Sequence, residues 1–346
     1  MKKEYGRNID FNKYGLRPAA SYLESSRRDL EELLTSMSVA DDAAKKLLKE
    51  TAKNPMLSED APKTKAEESP ETPNLDELLA QLDELVGLEK VKENVRSLIN
   101  LVKVRKLREE HGLPVPPISL HLVFMGNPGT GKTTVARLIA QLYHAIGVLP
   151  KGQLVEVDRS GLVAGYVGQT AVKTSEVIKS ALGGVLFIDE AYALTSAEGT
   201  NDFGHEAVET ILKAMEDHRN DLVVIVAGYD ELMEKFISSN PGLESRFNRY
   251  FVFEDYNGEQ LYAILQSMCR KNQYELAEDA AEYAKKLLSD LYEQRDENFG
   301  NARDVRNLFE NIVTVHSNRV AQLAEPTKED LTIVVREDVE KAEEMG

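Results

Sequence analysis

The stretch HLVFMGNPGTGKTT, residues 121–134, joins an apolar run, a glycine-rich turn and the start of a helical pattern. The run from His121 to Met125 is short and apolar, as expected of a buried strand. Apolar residues then recur at helical spacing, at Val135, Leu138, Ile139 and Leu142. The sequence therefore predicts a strand-to-helix turn that binds the phosphates of a nucleotide.

The residues of this turn suit phosphate binding for physical reasons. Gly126, Gly129 and Gly131 allow the backbone to bend closely around phosphates, and N–H groups at a helix start favour negative charge. Lys132 is predicted to pair with the β and γ phosphates, and Thr133 to offer a hydroxyl to Mg²⁺. A glycine-rich turn without a ligand is the alternative, and the complete motif disfavours it. The predicted nucleotide-binding residues of the loop are Asn127, Pro128, Gly129, Thr130, Gly131, Lys132, Thr133 and Thr134.

Composition restricts the classes of partner. Of 346 residues, 42% are hydrophobic and 29% charged, as in ordinary globular proteins of two or three domains. The net charge of -17 disfavours nucleic acid or an anionic membrane as the main partner. Cys269 is the single cysteine, which excludes an internal disulfide and fits a reducing compartment. We find neither a signal peptide nor a membrane span in the sequence, and therefore expect a cytoplasmic protein.

Four regions follow from the patterning. Residues 1–50 predict a small helical N-terminal segment. Residues 51–74 are rich in proline and charge, which predicts a disordered linker. Asn74 is a candidate N-cap, and residues 75–256 predict a large α/β ATPase domain. Residues 257–346 predict a smaller helical domain.

Short β-prone runs alternate with helical stretches in the large domain. After residues 121–125 they lie at 154–157, 185–188, 222–227 and 250–253. This spacing predicts right-handed crossovers and a parallel five-stranded sheet with helices on both faces. Beyond Tyr256 the strands are predicted to stop. Helices are expected at 261–269, 280–291 and 305–320, followed by a short apolar run at 331–335 and a charged final helix.

Two acidic residues follow the apolar run Val185 to Ile188. Asp189 is predicted to bind Mg²⁺, directly or through water, and Glu190 to orient and polarise the water that attacks the γ-phosphate. The alternative is that both acids only end a strand. Their position downstream of a phosphate loop favours the catalytic interpretation.

Arginines at two further positions are candidates for contacting phosphate. Arg246 follows the next strand, with Arg249 close by. A guanidinium there can stabilise charge on the transferred phosphoryl group, and one supplied by a neighbouring subunit makes hydrolysis depend on assembly. Arg303 and Arg306 begin a helix of the second domain and can couple the angle between the domains to the nucleotide state. Exposed arginines without such a role remain the alternative for both positions.

Taken together, these motifs resemble the AAA+ ATPases. Gly126 to Thr133, Asp189-Glu190, Arg246 and Gly300 to Arg303 follow the order Walker A, Walker B, arginine finger and sensor 2. The segments GNPGTGKTTVAR, LVAGYVGQTAVKT, GGVLFIDEAYAL, DLVVIVAGY, NPGLESRF and GNARDVRN resemble the CbbX/CfxQ family, which includes red-type Rubisco activases and the stage V sporulation protein K group. The resemblance spans about residues 75–324.

The resemblance implies the AAA+ fold, a P-loop α/β domain followed by a helical lid, with ATP and Mg²⁺ as ligands. Val86 and Gly87 are then expected against adenine, and Thr133 and Asp189 at the metal. A homo-oligomeric ring, most often a hexamer, is also implied. The implied catalytic residues are Lys132, Asp189, Glu190, Arg246 and Arg303. The sequence departs from many AAA+ proteins at 227–229, where Ala-Gly-Tyr replaces the usual Asn or Thr of sensor 1, and residues 1–74 lie outside the shared module.

The segment Gly165-Tyr166-Val167-Gly168 matches the aromatic-hydrophobic-glycine pore loop of AAA+ machines that thread proteins. An aromatic ring grips an extended chain by dispersion and apolar contact, and flanking glycines let the loop move. A tyrosine packed under its own loop is the alternative. The expected function is an ATP-driven motor that remodels a client protein, while a nucleic-acid motor and an ATP-gated scaffold remain alternatives of other classes.

Overall fold

The computed structural model describes residues 74–166, 168–195, 203–296 and 299–345. The predicted N-terminal segment 1–50, the predicted linker up to residue 73 and Val167 lie outside the described residues. None of the described helices combines the length and apolar character needed to cross a bilayer.

The first part of the described chain alternates helices with strands. Its elements are α1 (Leu75–Asp83), α2 (Glu89–Glu110), β1 (Leu122–Gly126), α3 (Lys132–Ala145), β2 (Leu154–Val157), α4 (Arg159–Leu162), α5 (Gln169–Ala181), β3 (Val185–Ile188), a 3₁₀ helix (Ala191–Leu194), α6 (Gly204–Asp217), β4 (Val223–Gly228), α7 (Asp230–Ser238), α8 (Pro241–Arg246) and β5 (Tyr250–Phe253). Asn74 caps α1 as predicted, because its side chain accepts a hydrogen bond from the Asp76 N–H.

The five strands form one parallel sheet in the order β2-β3-β4-β1-β5. Strand β1 pairs with β4 and β5, and Phe124 lies opposite Ala227 on one side and Phe251 on the other. Leu122 and Phe124 pack in a core with residues of α1, α2 and α3, whereas Val123 and Met125 pack in a core with residues of α5, α6 and α7. Both faces of the sheet are therefore covered, which explains why β1 is apolar throughout.

Parallel strands bring their carboxyl ends to one edge of the sheet. The phosphate loop follows β1 at this edge, and Asp189 and Glu190 follow β3. Strand β4 lies between β1 and β3 and ends at Gly228, so Tyr229 enters the same region. In open α/β sheets, ligands bind in the crevice outside these carboxyl ends.

The C-terminal part is mainly helical. It contains α9 (Gly258–Lys271), β6 (Glu275–Leu276), α10 (Glu278–Glu293), α11 (Ala302–Val320), α12 (Lys328–Thr332), β7 (Ile333–Val334) and α13 (Arg336–Glu343). The prediction that strands stop after Tyr256 is wrong, because β6 and β7 pair in parallel. Each has two residues, which is too short for an alternating pattern to appear in the sequence. Arg319 fixes this region by binding the buried carboxylate of Asp338 through Nε and Nη2 at 2.9 to 3.2 Å.

Candidate nucleotide site

A cavity of about 430 Å³ opens at the carboxyl edge of the sheet. Four segments that are distant in sequence line it: the phosphate loop with α3, the end of β3, the end of β4, and the start of α11. The lining residues are Gly126, Pro128, Gly129, Gly131, Lys132, Thr133, Thr134, Arg137, Asp189, Glu190, Gly228, Tyr229, Ala302, Arg303 and Arg306.

The phosphate loop adopts the backbone conformation that its glycines permit. Gly126, Gly129 and Gly131 have φ values of 142, 71 and 96°, a region that residues with a β-carbon rarely enter. A β-carbon at Gly126 would also overlap the carbonyl oxygen of Phe253. Lys132 Nζ lies 2.7 Å from the carbonyl oxygens of both Gly126 and Asn127. The ammonium group therefore lies inside the loop, where a phosphate group can be received.

Several charged groups surround Lys132. Burial lowers the pKa of its ammonium group, and Asp189, Asp230 and Glu190 act in the opposite direction. Arg303 adds a second positive charge that also lowers this pKa. Four cationic side chains and two carboxylates thus line one cavity, which suits a ligand that carries phosphates together with a divalent cation.

The backbone turns sharply where β3 ends. Glu190 has φ 47° and ψ 43°, a left-handed conformation that is uncommon outside glycine. Its N–H donates to Oδ1 of Asp189 at 3.1 Å, and the 3₁₀ helix begins at Ala191. Strained backbone of this kind occurs frequently at functional sites. Both acidic side chains line the cavity.

Two residues of the cavity lining offer oxygen ligands to Mg²⁺. Thr133 and Asp189 both line the cavity, and a hydroxyl and a carboxylate are ligands that Mg²⁺ accepts. Within the described ranges, no group of three or more His, Cys, Asp or Glu side chains could hold a metal ion. The pattern fits an ion that keeps most of its ligands as water and nucleotide oxygens.

Not every predicted binding residue lines this cavity. Its lining lacks Val86, Gly87, Asn127 and Thr130. Gly87 instead lies beside Gln260 and Tyr256, since a β-carbon there would come within 2.6 Å of Gln260 Nε2 and 3.5 Å of Tyr256 Cε1.

The candidate arginines separate into two groups. Arg303 and Arg306 line the cavity. Arg246 does not, and lies at the end of α8, where Nη2 is 3.4 Å from a carboxylate oxygen of Glu216. Arg246 Nε is buried without a hydrogen-bond partner among the described residues. Arg249 donates to the carbonyl of Ser119 at 3.3 Å, which is a structural contact.

The segment with Tyr166 is open to solvent. The Tyr166 side chain is 74% exposed, so it does not pack under its own loop. Gly165 and Gly168 have open space where a β-carbon would stand. Two side chains of α5 fix the base of this segment: Lys173 donates to the carbonyls of Ser160 and Val163 at 2.6 and 3.0 Å, and Thr174 to that of Leu162 at 3.1 Å.

Sequence reasoning missed several residues that shape the site. Arg137 lines the cavity one turn along α3, and helical spacing from Lys132 and Thr133 was the signal that could have identified it. Asp255, Tyr256 and Asn301 connect the phosphate loop to the start of α11. Asn301 stands inside the segment Gly300 to Arg303, but the motif assigned it no role, and no local pattern marks Asp255 or Tyr256.

Two family models match adjoining parts of the chain. The model described as the ATPase family associated with various cellular activities (AAA) matches residues 122–255. The AAA lid domain model matches residues 257–346. Among solved structures, the AAA domain of FIGL-1 in complex with ADP aligns with a TM-score of 0.53 at 18% identity, covering 76% of this chain and 82% of that chain. At this identity the likeness concerns the fold alone.

Curated relatives are similar over most of their own length. The CfxQ homolog of Galdieria sulphuraria is 43% identical over 273 residues, which cover 78% of this chain and 88% of that protein. The chloroplastic ribulose bisphosphate carboxylase/oxygenase activase of Cyanidioschyzon merolae is 42% identical, with coverages of 78% and 92%. The stage V sporulation protein K of Bacillus subtilis is 41% identical, with coverages of 78% and 84%.

Proposed function

This chain belongs to the CbbX/CfxQ family of AAA+ ATPases and hydrolyses ATP, and from that premise we propose that it is a motor that remodels a client protein. Identical subunits form a ring, most often a hexamer in this class, and each pulls on the client through Tyr166. The observation that carries the proposal is the exposure of Tyr166, 74%, on a segment anchored next to the catalytic strand ends.

Each polar group of the cavity takes a role suited to its chemistry. Lys132 pairs with the β and γ phosphates, and Glu190 orients the attacking water and accepts its proton. Thr133 and Asp189 would hold Mg²⁺, and the ion would supply charge neutralisation at the phosphates. Arg303 approaches the same phosphates from the lid, and its position in the cavity lining supports this role.

Arg246 acts in trans, on the ATP of a neighbouring subunit. It lies outside the lining of its own cavity and holds one buried nitrogen without a hydrogen-bond partner among the described residues. A guanidinium held in this way by α8 can be presented to a second copy. Hydrolysis then requires assembly, because each site is completed by its neighbour.

The path from hydrolysis to movement runs through α4 and α5. Arg159 Nη1 lies 2.5 Å from the carbonyl oxygen of Ala193, in the 3₁₀ helix that follows Glu190. Helix α4 leads into the segment with Tyr166, and Lys173 and Thr174 clamp its end. A movement of the backbone at Glu190 on hydrolysis is thus passed to the Tyr166 side chain through a short series of hydrogen bonds.

The client is a protein with an accessible chain segment, since an aromatic side chain grips a polypeptide without requiring one sequence. The relatives carry names from two settings, an activase of ribulose bisphosphate carboxylase/oxygenase and a sporulation protein. The proposal therefore assigns this chain an ATP-driven remodelling activity and a client that is a protein.

A trapping experiment tests the proposal. Rings of Glu190→Gln are expected to bind ATP and hydrolyse it very slowly, so that a bound client stays on the ring. Quantitative mass spectrometry compares the proteins bound to these rings with those bound to Glu190→Gln/Tyr166→Ala and to Glu190→Gln/Tyr166→Phe. We expect the client to be enriched on the first and on the Phe variant, and to fall by about tenfold on the Ala variant. Equal capture by all three, with equal ATP binding, would reject Tyr166 as the gripping residue.

A further inference from the structure

The outer surface of the phosphate loop is bonded to the start of the lid. Three successive backbone carbonyls of the loop each accept one hydrogen bond. Pro128 O accepts from Asn301 Nδ2 at 3.3 Å, Gly129 O from the Ala302 N–H at 3.2 Å, and Thr130 O from the Tyr256 hydroxyl at 3.1 Å. The lid therefore contacts the backbone of the loop directly.

Asn301 is at the centre of this contact. Its side chain is completely buried and makes three hydrogen bonds. Besides Pro128 O, its Nδ2 donates to Oδ1 of Asp255 at 2.8 Å, and its Oδ1 accepts from the Tyr256 N–H at 2.9 Å. Asp255 also accepts from Asn127 Nδ2 at 3.0 and 3.1 Å. One amide thus joins the phosphate loop, the residues after β5 and the first turn of α11.

The backbone at Asn301 is held in an unfavourable conformation. Its φ of 54° and ψ of -126° belong to a region used mainly by glycine. Gly300, its neighbour, does not have a positive φ. An asparagine persists in such a conformation when its side chain is firmly held, and here the three hydrogen bonds hold it. This strain sets the direction in which α11 leaves the phosphate loop.

Arg303 follows Asn301 by two residues and lines the nucleotide cavity. Gly129 allows the close approach that this requires, because a β-carbon there would overlap the carbonyl of Gly300 and come within 2.9 Å of the Arg303 nitrogen. Backbone contact between Gly129 and Gly300 therefore sets the separation between the phosphate loop and the lid. The hydrogen bonds of the Asn301 amide set the orientation of α11.

We propose that Asn301 is a positioning residue for ATP hydrolysis, which holds Arg303 over the phosphate loop through its hydrogen bonds to Pro128 and Asp255. The inference rests on the proposed role of Arg303. Since the same amide contacts the loop and orients the lid, a change in the loop backbone on ATP binding or phosphate release shifts α11. Asn301 is therefore also the point at which the state of the nucleotide reaches the lid.

A double-mutant cycle between Asn301 and Arg303 tests the proposal. Asn301→Gly removes the amide and keeps a residue suited to the backbone conformation, so the thermal unfolding midpoint is expected to remain close to that of the wild type. We expect kcat at saturating ATP to fall about 10- to 100-fold in Asn301→Gly, because misplacement of a catalytic group by about 1 Å has effects of this size. In Asn301→Gly/Arg303→Ala, kcat should equal that of Arg303→Ala alone, since Asn301 acts through Arg303.

Asn257→Gly is the matched control. Asn257 also precedes a lid helix, but its side chain caps α9 and makes no bond to the phosphate loop. We expect its kcat to stay within about twofold of the wild type. Asn301→Asp repeats the cycle with a side chain of the same size, which can still accept from Tyr256 but cannot donate to Pro128 or Asp255.

Each outcome decides between the roles. Unchanged kcat in Asn301→Gly and Asn301→Asp, with Arg303→Ala slow, would overturn the inference and leave the role of Arg303 intact. Multiplying effects in the double variant would assign Asn301 a structural role independent of Arg303 and would also overturn it. An unchanged kcat in Arg303→Ala would reject the proposed role of Arg303 and, with it, the inference.

Discussion

At the scale of single residues, Glu190 combines a place in the cavity lining with a strained backbone, and we propose it as the general base. Glu190→Gln keeps the shape of the side chain and removes the base. We expect ATP binding to be retained and hydrolysis to fall by about 10²- to 10⁴-fold, the usual contribution of a general base. Binding of a fluorescent ATP analogue and steady-state phosphate release measure the two effects.

Lys132→Ala is the counterpart of this variant. It removes the ammonium group that lies between the carbonyls of Gly126 and Asn127, and we expect it to lose ATP binding. Normal hydrolysis by Glu190→Gln would show that another group activates the water.

His121 makes the stability of the protein depend on pH. Its Nδ1 accepts the Val224 N–H at 2.9 Å, and its ring lies against Phe247, one residue after Arg246. Burial, and secondly the charge of Arg246, lower the pKa of His121 from 6.5 to about 4. The imidazole of His121 therefore takes up a proton near pH 6.5 in the unfolded chain but only near pH 4 in the folded protein. The stability that follows from this difference is present above pH 6.5 and is lost as the pH falls towards 4.

His121→Asn removes this titration and keeps an acceptor near the position of Nδ1. Between pH 7.5 and pH 5.5 we expect the wild type to lose about 1 kcal/mol more unfolding free energy than the variant. Urea unfolding followed by circular dichroism at the two pH values measures the difference. Parallel losses in both proteins would mean that His121 is protonated in the folded state.

Sequence patterns identified cavity-lining residues where those residues are neighbours in the chain. Lys132 lines the cavity with the loop glycines because one strand-to-helix turn contains them all. The contact between Asn301 and Asp255 could not be found in this way. They are 46 positions apart and meet only after the lid folds back onto the loop. Gly87 lies beside lid residues instead of in the cavity lining for the same reason, since packing between distant segments determines its neighbours.

At the scale of elements, the clamp between α4 and α5 is the clearest mechanical feature. Lys173 bonds two carbonyls at the end of α4, and a charged hydrogen bond of this kind contributes about 1.5 to 3 kcal/mol. We expect Lys173→Met to speed amide hydrogen exchange about tenfold in residues 160–166, because the clamp opposes local opening. Lys179→Met, an exposed position on the same helix, is the control. Equal exchange in both variants would show that Thr174 alone holds the segment.

The predicted elements also show where sequence patterns are informative. The five strands of the sheet lie on the five apolar runs, and the fold class is confirmed. The inner strands β1, β3 and β4 are buried on both faces, whereas the edge strands β2 and β5 are partly exposed. The two-residue strands β6 and β7 escaped prediction, since pairing across 58 positions of sequence, from Glu275 to Ile333, leaves no local signal. The proposed boundaries of the four regions stay predictions.

At the scale of the whole molecule, the position of Arg246 outside its own cavity predicts that subunits complete each other's sites. Arg246→Ala and Glu190→Gln proteins should each hydrolyse ATP poorly when alone. When they are mixed, an Arg246→Ala subunit keeps its Glu190 and receives the guanidinium of a Glu190→Gln neighbour. In a random one-to-one mixture, about a quarter of the subunit interfaces have this arrangement, so recovery should approach about a quarter of the wild-type rate.

The control mixes Arg246→Ala with the Arg246→Ala/Glu190→Gln double variant, in which no subunit offers the guanidinium. That mixture should stay inactive at every ratio, although it contains as many intact Glu190 side chains as the test mixture. Recovery in the test mixture alone would therefore come from Arg246 crossing between subunits. If neither mixture recovers while both proteins co-assemble, as judged by exchange between differently labelled subunits, then Arg246 acts within its own chain. Its buried Nε would then serve the fold instead of a neighbour.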